Sequence, residues 1–230
     1  MAILLYELVG RDAQRPFSPH CWKVRMALSH KGLDFETVPV PFTEIPTIEG
    51  GVTKIVPLIR DGDRLVADSF AIAQYLDEAY PDRPTLFGGP GGVALSRFVE
   101  SWSQRTIHPV VTSFAVRDIH DFLAPVDQAY FREDRERKLG ARLEEVQEGR
   151  EGRVDGFLKA IAPLRALLER QPFVGGEGPL FADYIVFGAF QWLRVASSFQ
   201  PLPEGDALSQ WFERCLDLYG QAGRKVPAAA

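Results

Sequence analysis

Ser18-Pro19-His20-Cys21 concentrates groups able to hold an anion within this 230-residue chain. Serine before proline is a strong helix start. The Ser18 hydroxyl can cap orphan backbone N–H groups, and Pro19 suits the first helical position, where a missing N–H costs nothing. Lys31 in the last turn and Gly32 after it supply the matching stop. A helix is therefore expected from Ser18 to Lys31, with Ser18 at the positive end of its dipole beside unpaired N–H donors. Such a place can hold a thiolate. Most Ser-Pro starts are only caps, so a chemical role needs further motifs.

Two more follow. Val56-Pro57 precedes a predicted strand; a proline there is a candidate cis site, with Val56 placed to offer its backbone N–H and C=O to an extended peptide ligand. Asp68-Ser69 opens the next helix. They can serve as caps, or as a carboxylate for a ligand ammonium beside a hydroxyl and helix N–H groups for a ligand carboxylate.

The elements that must position these motifs are mixed in the first half. Ile3 to Leu8 reads as a short buried strand, and Phe35-Glu36-Thr37-Val38 alternates like a second. A loop through Pro39, Pro41, Pro46, Gly50 and Gly51 follows. Leu58-Ile59-Arg60, Asp61-Gly62 and Leu65-Val66 form a predicted hairpin, and Ser69 to Tyr80 a helix stopped by Pro81. Residues 85–92 carry four glycines in five positions and read as a linker between a first domain, 1–84, and a second, 93–230. Beyond it only helices are expected. One runs from Leu95 to about Phe122, and Phe131 to Lys159 forms a charged helical face with an apolar stripe of Leu139, Leu143 and Val146. Phe181 to Ala196 is apolar all round, as in a bundle centre. A final helix carries Leu208, Trp211, Phe212, Cys215, Leu216 and Tyr219 on one face.

Composition excludes several classes. Hydrophobic residues at 46% and charged ones at 25% describe an ordinary globular protein. A net charge of −5 argues against nucleic acid, and no basic block suggests a membrane surface. The apolar start is too short for a signal peptide, and no window approaches a membrane span. Cys21 and Cys215 lie too far apart for a disulfide framework or zinc site, and His20, His30, His108 and His120 show no ligand spacing. No metal is expected, and a reducing cytoplasm is the expected location. Both cysteines read as packed core residues.

Taken together, Ser18 to Arg25, Lys54-Ile55-Val56-Pro57-Leu58-Ile59 and Asp68 to Leu76 resemble the glutathione-site motifs of the glutathione transferase superfamily, in its serine-type form. The resemblance implies an α/β thioredoxin-like domain followed by an all-helical bundle, glutathione as co-substrate, a small apolar electrophile bound between the domains, and a homodimer. It places Ser18 facing the glutathione sulfur. It makes Val56 the partner of the cysteinyl backbone, Pro57 a cis-proline, Asp68 and Ser69 the grip on the γ-glutamyl end, and Lys54 a neighbour of the glycyl carboxylate. Within the superfamily the resemblance is nearest to bacterial glutathione-dependent β-etherases, through Ser18-Pro19 to Lys31-Gly32, Arg142 to Glu151, Phe181-Ala182-Asp183-Tyr184 and Trp211 to Arg224.

Two departures matter. Glutaredoxins, which share the first domain, read Cys-Pro-Tyr-Cys here; Ser18 cannot form a mixed disulfide, which disfavours thiol transfer. Leu180 stands where relatives have a capping side chain, so Asp183 must serve without it. The expected activity is a glutathione transferase in which Ser18 donates to the sulfur, acting on an apolar electrophile such as a β-aryl ether. The alternatives are a non-catalytic scaffold of the same fold and a thiol-transfer reductase. Trp102, Phe114 and Tyr130 are candidate walls of the electrophile pocket.

Overall fold

In the computed structural model, which describes residues 2–230, the chain opens on β1 (Ile3–Leu8), crosses through α1 (Pro19–His30) and returns as β2 (Phe35–Val40). β1 and β2 pair in parallel. After short 3-10 turns over Phe42–Gly50 come β3 (Leu58–Asp61) and β4 (Arg64–Ala67), then α2 (Ser69–Ala79). The sheet order is β2-β1-β3-β4, with β3 antiparallel to both neighbours. Asp61 pairs with Arg64, so the hairpin turns on Gly62-Asp63, one residue later than the Asp61-Gly62 reading. Gly62 takes the positive φ, 58°, that such a turn needs.

The helical half comprises α3 (Pro90–Thr106), α4 (His108–Phe122), α5 (Pro125–Leu139), α6 (Leu143–Gln147), α7 (Val154–Ala160), α8 (Ala162–Leu168), α9 (Phe181–Ala196) and α10 (Ala207–Gln221). The architecture is thus a thioredoxin-like mixed sheet followed by a helical domain. α3 takes up the end of the glycine-rich stretch. A Cβ on Gly92 would lie 1.6 Å from the Phe87 carbonyl oxygen, so that glycine serves close packing.

Three helical expectations are corrected. The single helix to Phe122 is two, broken at Ile107, because Pro109 can neither donate to the preceding turn nor clear its carbonyl. The charged segment is also broken: Gly140 ends α5 in a left-handed conformation, and Gly149 does the same after α6. Leu143 is buried while Leu139 is exposed, so the two do not share one stripe. In α10 the last turn unwinds at Leu218-Tyr219-Gly220. Tyr219 leaves the apolar face, and its hydroxyl joins Tyr184 and His30.

α9 is the buried axis between the two halves, packing on α1, α3 and α4. Gly188 lets it approach α1, since a Cβ there would lie 2.3 Å from the Pro19 carbonyl oxygen. Gly188→Ala must therefore push α1 and its Ser-Pro start away from α9. The expected cost is about 1–3 kcal/mol, read from denaturant unfolding, and loss of less than about 0.5 kcal/mol would show that the contact yields freely.

Candidate functional site

Backbone register brings the three motifs together. Phe17 N–H donates to the Leu8 carbonyl at 3.2 Å, and the Trp22 indole N–H to that of Pro16 at 3.0 Å, so Ser18 is tied to the end of β1. β1 and β3 pair Tyr6 with Leu58. Continuing that register sets Leu8 opposite Val56. β3 and β4 pair Leu58 with Ala67, which sets Pro57 beside Asp68. One end of the sheet therefore gathers Ser18, Val56-Pro57 and Asp68-Ser69.

Ser18 caps α1, its Oγ accepting from Cys21 N–H at 3.4 Å. That long contact uses an oxygen lone pair and leaves the hydroxyl proton free to donate. The first turn of α1 carries no acidic residue to offset the dipole. The Val56-Pro57 bond is cis, Val56 is half-buried, and its N–H and C=O make no backbone hydrogen bond among the described residues. Lys54 is exposed at the rim. Asp68 caps α2, its Oδ1 accepting from Phe70 and Ala71 N–H, both at 3.0 Å, with a backbone φ of 76°. A non-glycine residue held there stores about 1–3 kcal/mol of strain. Ser69 is buried at the first turn of α2.

A cavity of about 450 Å³ opens beside this sheet end. Ser18, Pro19, Lys54 and Val56 line it from the first half; His108, Thr112, Tyr130, Phe131 and Trp192 do so from the helices. Pro57, Asp68 and Ser69 lie at this same sheet end but outside the cavity wall. Of the three aromatic candidates only Tyr130 belongs to the wall. Phe114 is fully buried against Phe157 and Phe199, and half-buried Trp102 packs against the core. Phe131, Trp192 and His108 join the wall without any local sequence signal that assigns them to a cavity.

Burial pushes the His20 imidazole well below its ordinary value, with the Lys23 and His108 charges adding to this. Burial pushes the Cys21 thiol up to about 12. Cys21 is fully enclosed and its Sγ accepts from Leu8 N–H at 3.5 Å, so it stays protonated at neutral pH.

Residues 94–215 match the family described as Glutathione S-transferase, C-terminal domain, and residues 14–84 the Glutathione S-transferase, N-terminal domain. The chain belongs to the glutathione S-transferase superfamily. It is similar to a zeta-class glutathione S-transferase of Euphorbia esula, 31% identical over 137 residues, which cover 57% of this chain and 61% of that one. The chain spans under two thirds of that relative's length, and 31% of the length of two Arabidopsis thaliana relatives. Its fold resembles a glutathione transferase of Phanerochaete chrysosporium, with a TM-score of 0.76, 27% identity and 98% and 94% of the two chains covered. A glutathione S-transferase of Ceriporiopsis subvermispora, solved in complex with glutathione, matches with a TM-score of 0.81 at 23% identity over 100% and 99% of the chains. No helix among the described residues is long and apolar enough to cross a membrane.

Proposed function

We propose that the protein is a glutathione transferase in which Ser18 donates a hydrogen bond to the glutathione sulfur and holds it as a thiolate. The observation that carries this reading is the convergence of a capping serine with a free proton, an unpaired Val56 backbone and a strained Asp68 at one sheet end beside an aromatic-walled cavity. A scaffold needs only the cap. In this reading Val56 pairs with the cysteinyl backbone and Pro57 shapes that edge. Asp68 and Ser69 receive the γ-glutamyl end, and Lys54 the glycyl carboxylate.

The energetics are sufficient. A free thiol has a pKa near 8.5, and lowering it by about two units requires roughly 2.7 kcal/mol of preference for the thiolate. A hydrogen bond to a charged partner contributes about 1.5–3 kcal/mol, and the helix dipole about 0.3–1. Ser18 is thus a donor that keeps its proton, and no base is needed beside it. Thiol transfer is disfavoured by the serine and by the enclosed, protonated Cys21.

The aromatic part of the wall, Tyr130, Phe131 and Trp192, suits an aryl electrophile. With a β-aryl ether, the thiolate forms the C–S bond as the C–O bond breaks, and the phenolate leaves with the electron pair; a phenol pKa near 10 makes it an acceptable leaving group. The proposed homodimer has its support in Leu95 and Phe98, which are exposed three residues apart on α3.

Retention on immobilised glutathione, followed by conjugation of an aryl halide and phenol release from an α-keto β-aryl ether, tests the reading. Retention with turnover is expected. Retention without turnover of either compound identifies a scaffold, and halide conjugation without phenol release removes the ether.

A further inference from the structure

Asp127 is the third residue of α5 and is fully buried, yet every hydrogen bond its carboxylate makes among the described residues crosses to the first half. Its Oδ2 accepts from Phe42 N–H at 3.0 Å, and its Oδ1 from the Thr43 N–H and hydroxyl, both at 2.9 Å. These are the first two residues of the 3-10 turns over Phe42–Gly50, where Pro41 stands at the cap and offers no side-chain acceptor. The cap is supplied by the other domain instead. The far end of the turns is fastened to the sheet, where Glu49 accepts from the Tyr6 hydroxyl and pairs with Arg60 at 3.3 Å.

This clamp borders the cavity from both sides. Tyr130 and Phe131 follow Asp127 by three and four residues, on one face of α5, and both rings pack against Phe42 with centroids 6.1 and 5.7 Å away. Phe42 also meets Phe17, the residue before Ser18, at 6.2 Å. Phe42 and Ile45 line the cavity from the clamped turns, and Lys54 and Val56 from the loop that follows them.

We propose that Asp127 is a positioning residue for glutathione: it holds the Phe42–Gly50 turns on α5, and with them the loop that carries Lys54 and Val56, in the place the ligand needs. The proposal rests on the glutathione reading of those two residues. Without the carboxylate, three donors lose their acceptor and the turns lose their cap, so the segment is closed only part of the time. A ligand that needs the closed form then binds more weakly by that fraction. Once saturated, the protein is closed again and turns over as before. A clamp of this kind separates affinity from rate.

Calorimetry with glutathione and steady-state kinetics on the full protein test this. Asp127→Ala is expected to weaken glutathione binding about tenfold, which corresponds to a segment closed about a tenth of the time. With both substrates saturating, kcat should stay within about threefold, and the bound thiol should titrate where it does in the wild type. Asp127→Asn keeps one acceptor oxygen and should recover part of the affinity. Thr43→Val, at an exposed position, removes one of the three bonds and should weaken binding about threefold; it gives the same reading if the alanine variant does not fold. Unchanged glutathione affinity in the folded variant, whatever its unfolding midpoint, makes the clamp purely structural and overturns the proposal. A loss confined to kcat overturns it as well. In both cases glutathione still binds the wild type and only this proposal falls; if the wild type binds none, the glutathione reading falls with it.

Discussion

Ser18→Ala is expected to lower kcat/KM for glutathione conjugation about 10- to 100-fold at neutral pH while glutathione affinity changes less than about threefold. The range is that of one hydrogen bond to a charged sulfur, about 1.5–3 kcal/mol. Part of the rate should return as pH approaches the thiol's own pKa, because glutathione then ionises without help. Ser18 also caps α1, so the substitution should cost about 1 kcal/mol of stability. The two roles separate with Ser18→Gly, since glycine costs a cap only a few tenths of a kcal/mol yet offers no donor. A glycine variant with near-native stability and alanine-like turnover locates the loss in the donor. Wild-type turnover in both variants would reduce Ser18 to a cap.

The largest structural effect is expected at Asp183. Its fully buried carboxylate accepts from Val174 N–H at 2.7 Å, Gly175 N–H at 2.9 Å, Leu180 N–H at 3.0 Å and the Trp211 indole at 2.9 Å. Burial raises its pKa and these donors oppose that rise. Leu180 contributes its backbone alone, its N–H donating to the carboxylate and its carbonyl taking the Asp183 N–H at 2.9 Å. One carboxylate thus fastens the loop before α9, the start of α9 and α10. Asp183→Ala leaves four donors unpaired and is expected to cost about 3–5 kcal/mol, against a total of roughly 5–15. For a chain of this size that lowers the unfolding midpoint by about 6–20 °C. Asp183→Asn keeps one acceptor oxygen and should fall between. A loss below about 1 kcal/mol in the alanine variant would show that water or a backbone shift replaces the carboxylate.

These two positions were legible because their signals are local. Ser18-Pro19 marks a helix start whatever surrounds it, and the all-round apolar run from Phe181 to Ala196 becomes α9 with the bounds expected of it. The break at Ile107 was hidden for a physical reason. Apolar residues continue at helical spacing across it, and only Pro109 reveals that the backbone cannot. Tyr219 likewise matches the apolar period of α10 but takes a left-handed conformation and leaves it. The cavity wall was the least legible part. Phe114 and Tyr130 are both aromatic residues on helices, yet one is buried among Phe157 and Phe199 while the other faces the cavity. Long-range packing of α4, α5 and α9 decides between them, and no local pattern records it.

The role of Ser18 shows most directly in the ionisation of the sulfur bound beside it. Titrating glutathione on the protein by the ultraviolet absorbance of its thiolate should give a midpoint near pH 6.5, about two units below the free thiol. In Ser18→Ala the midpoint should climb most of the way back. A bound thiol that titrates at the free value in the wild type, or a low midpoint that Ser18→Ala leaves unmoved, would contradict the assignment of Ser18 as the group that holds the thiolate.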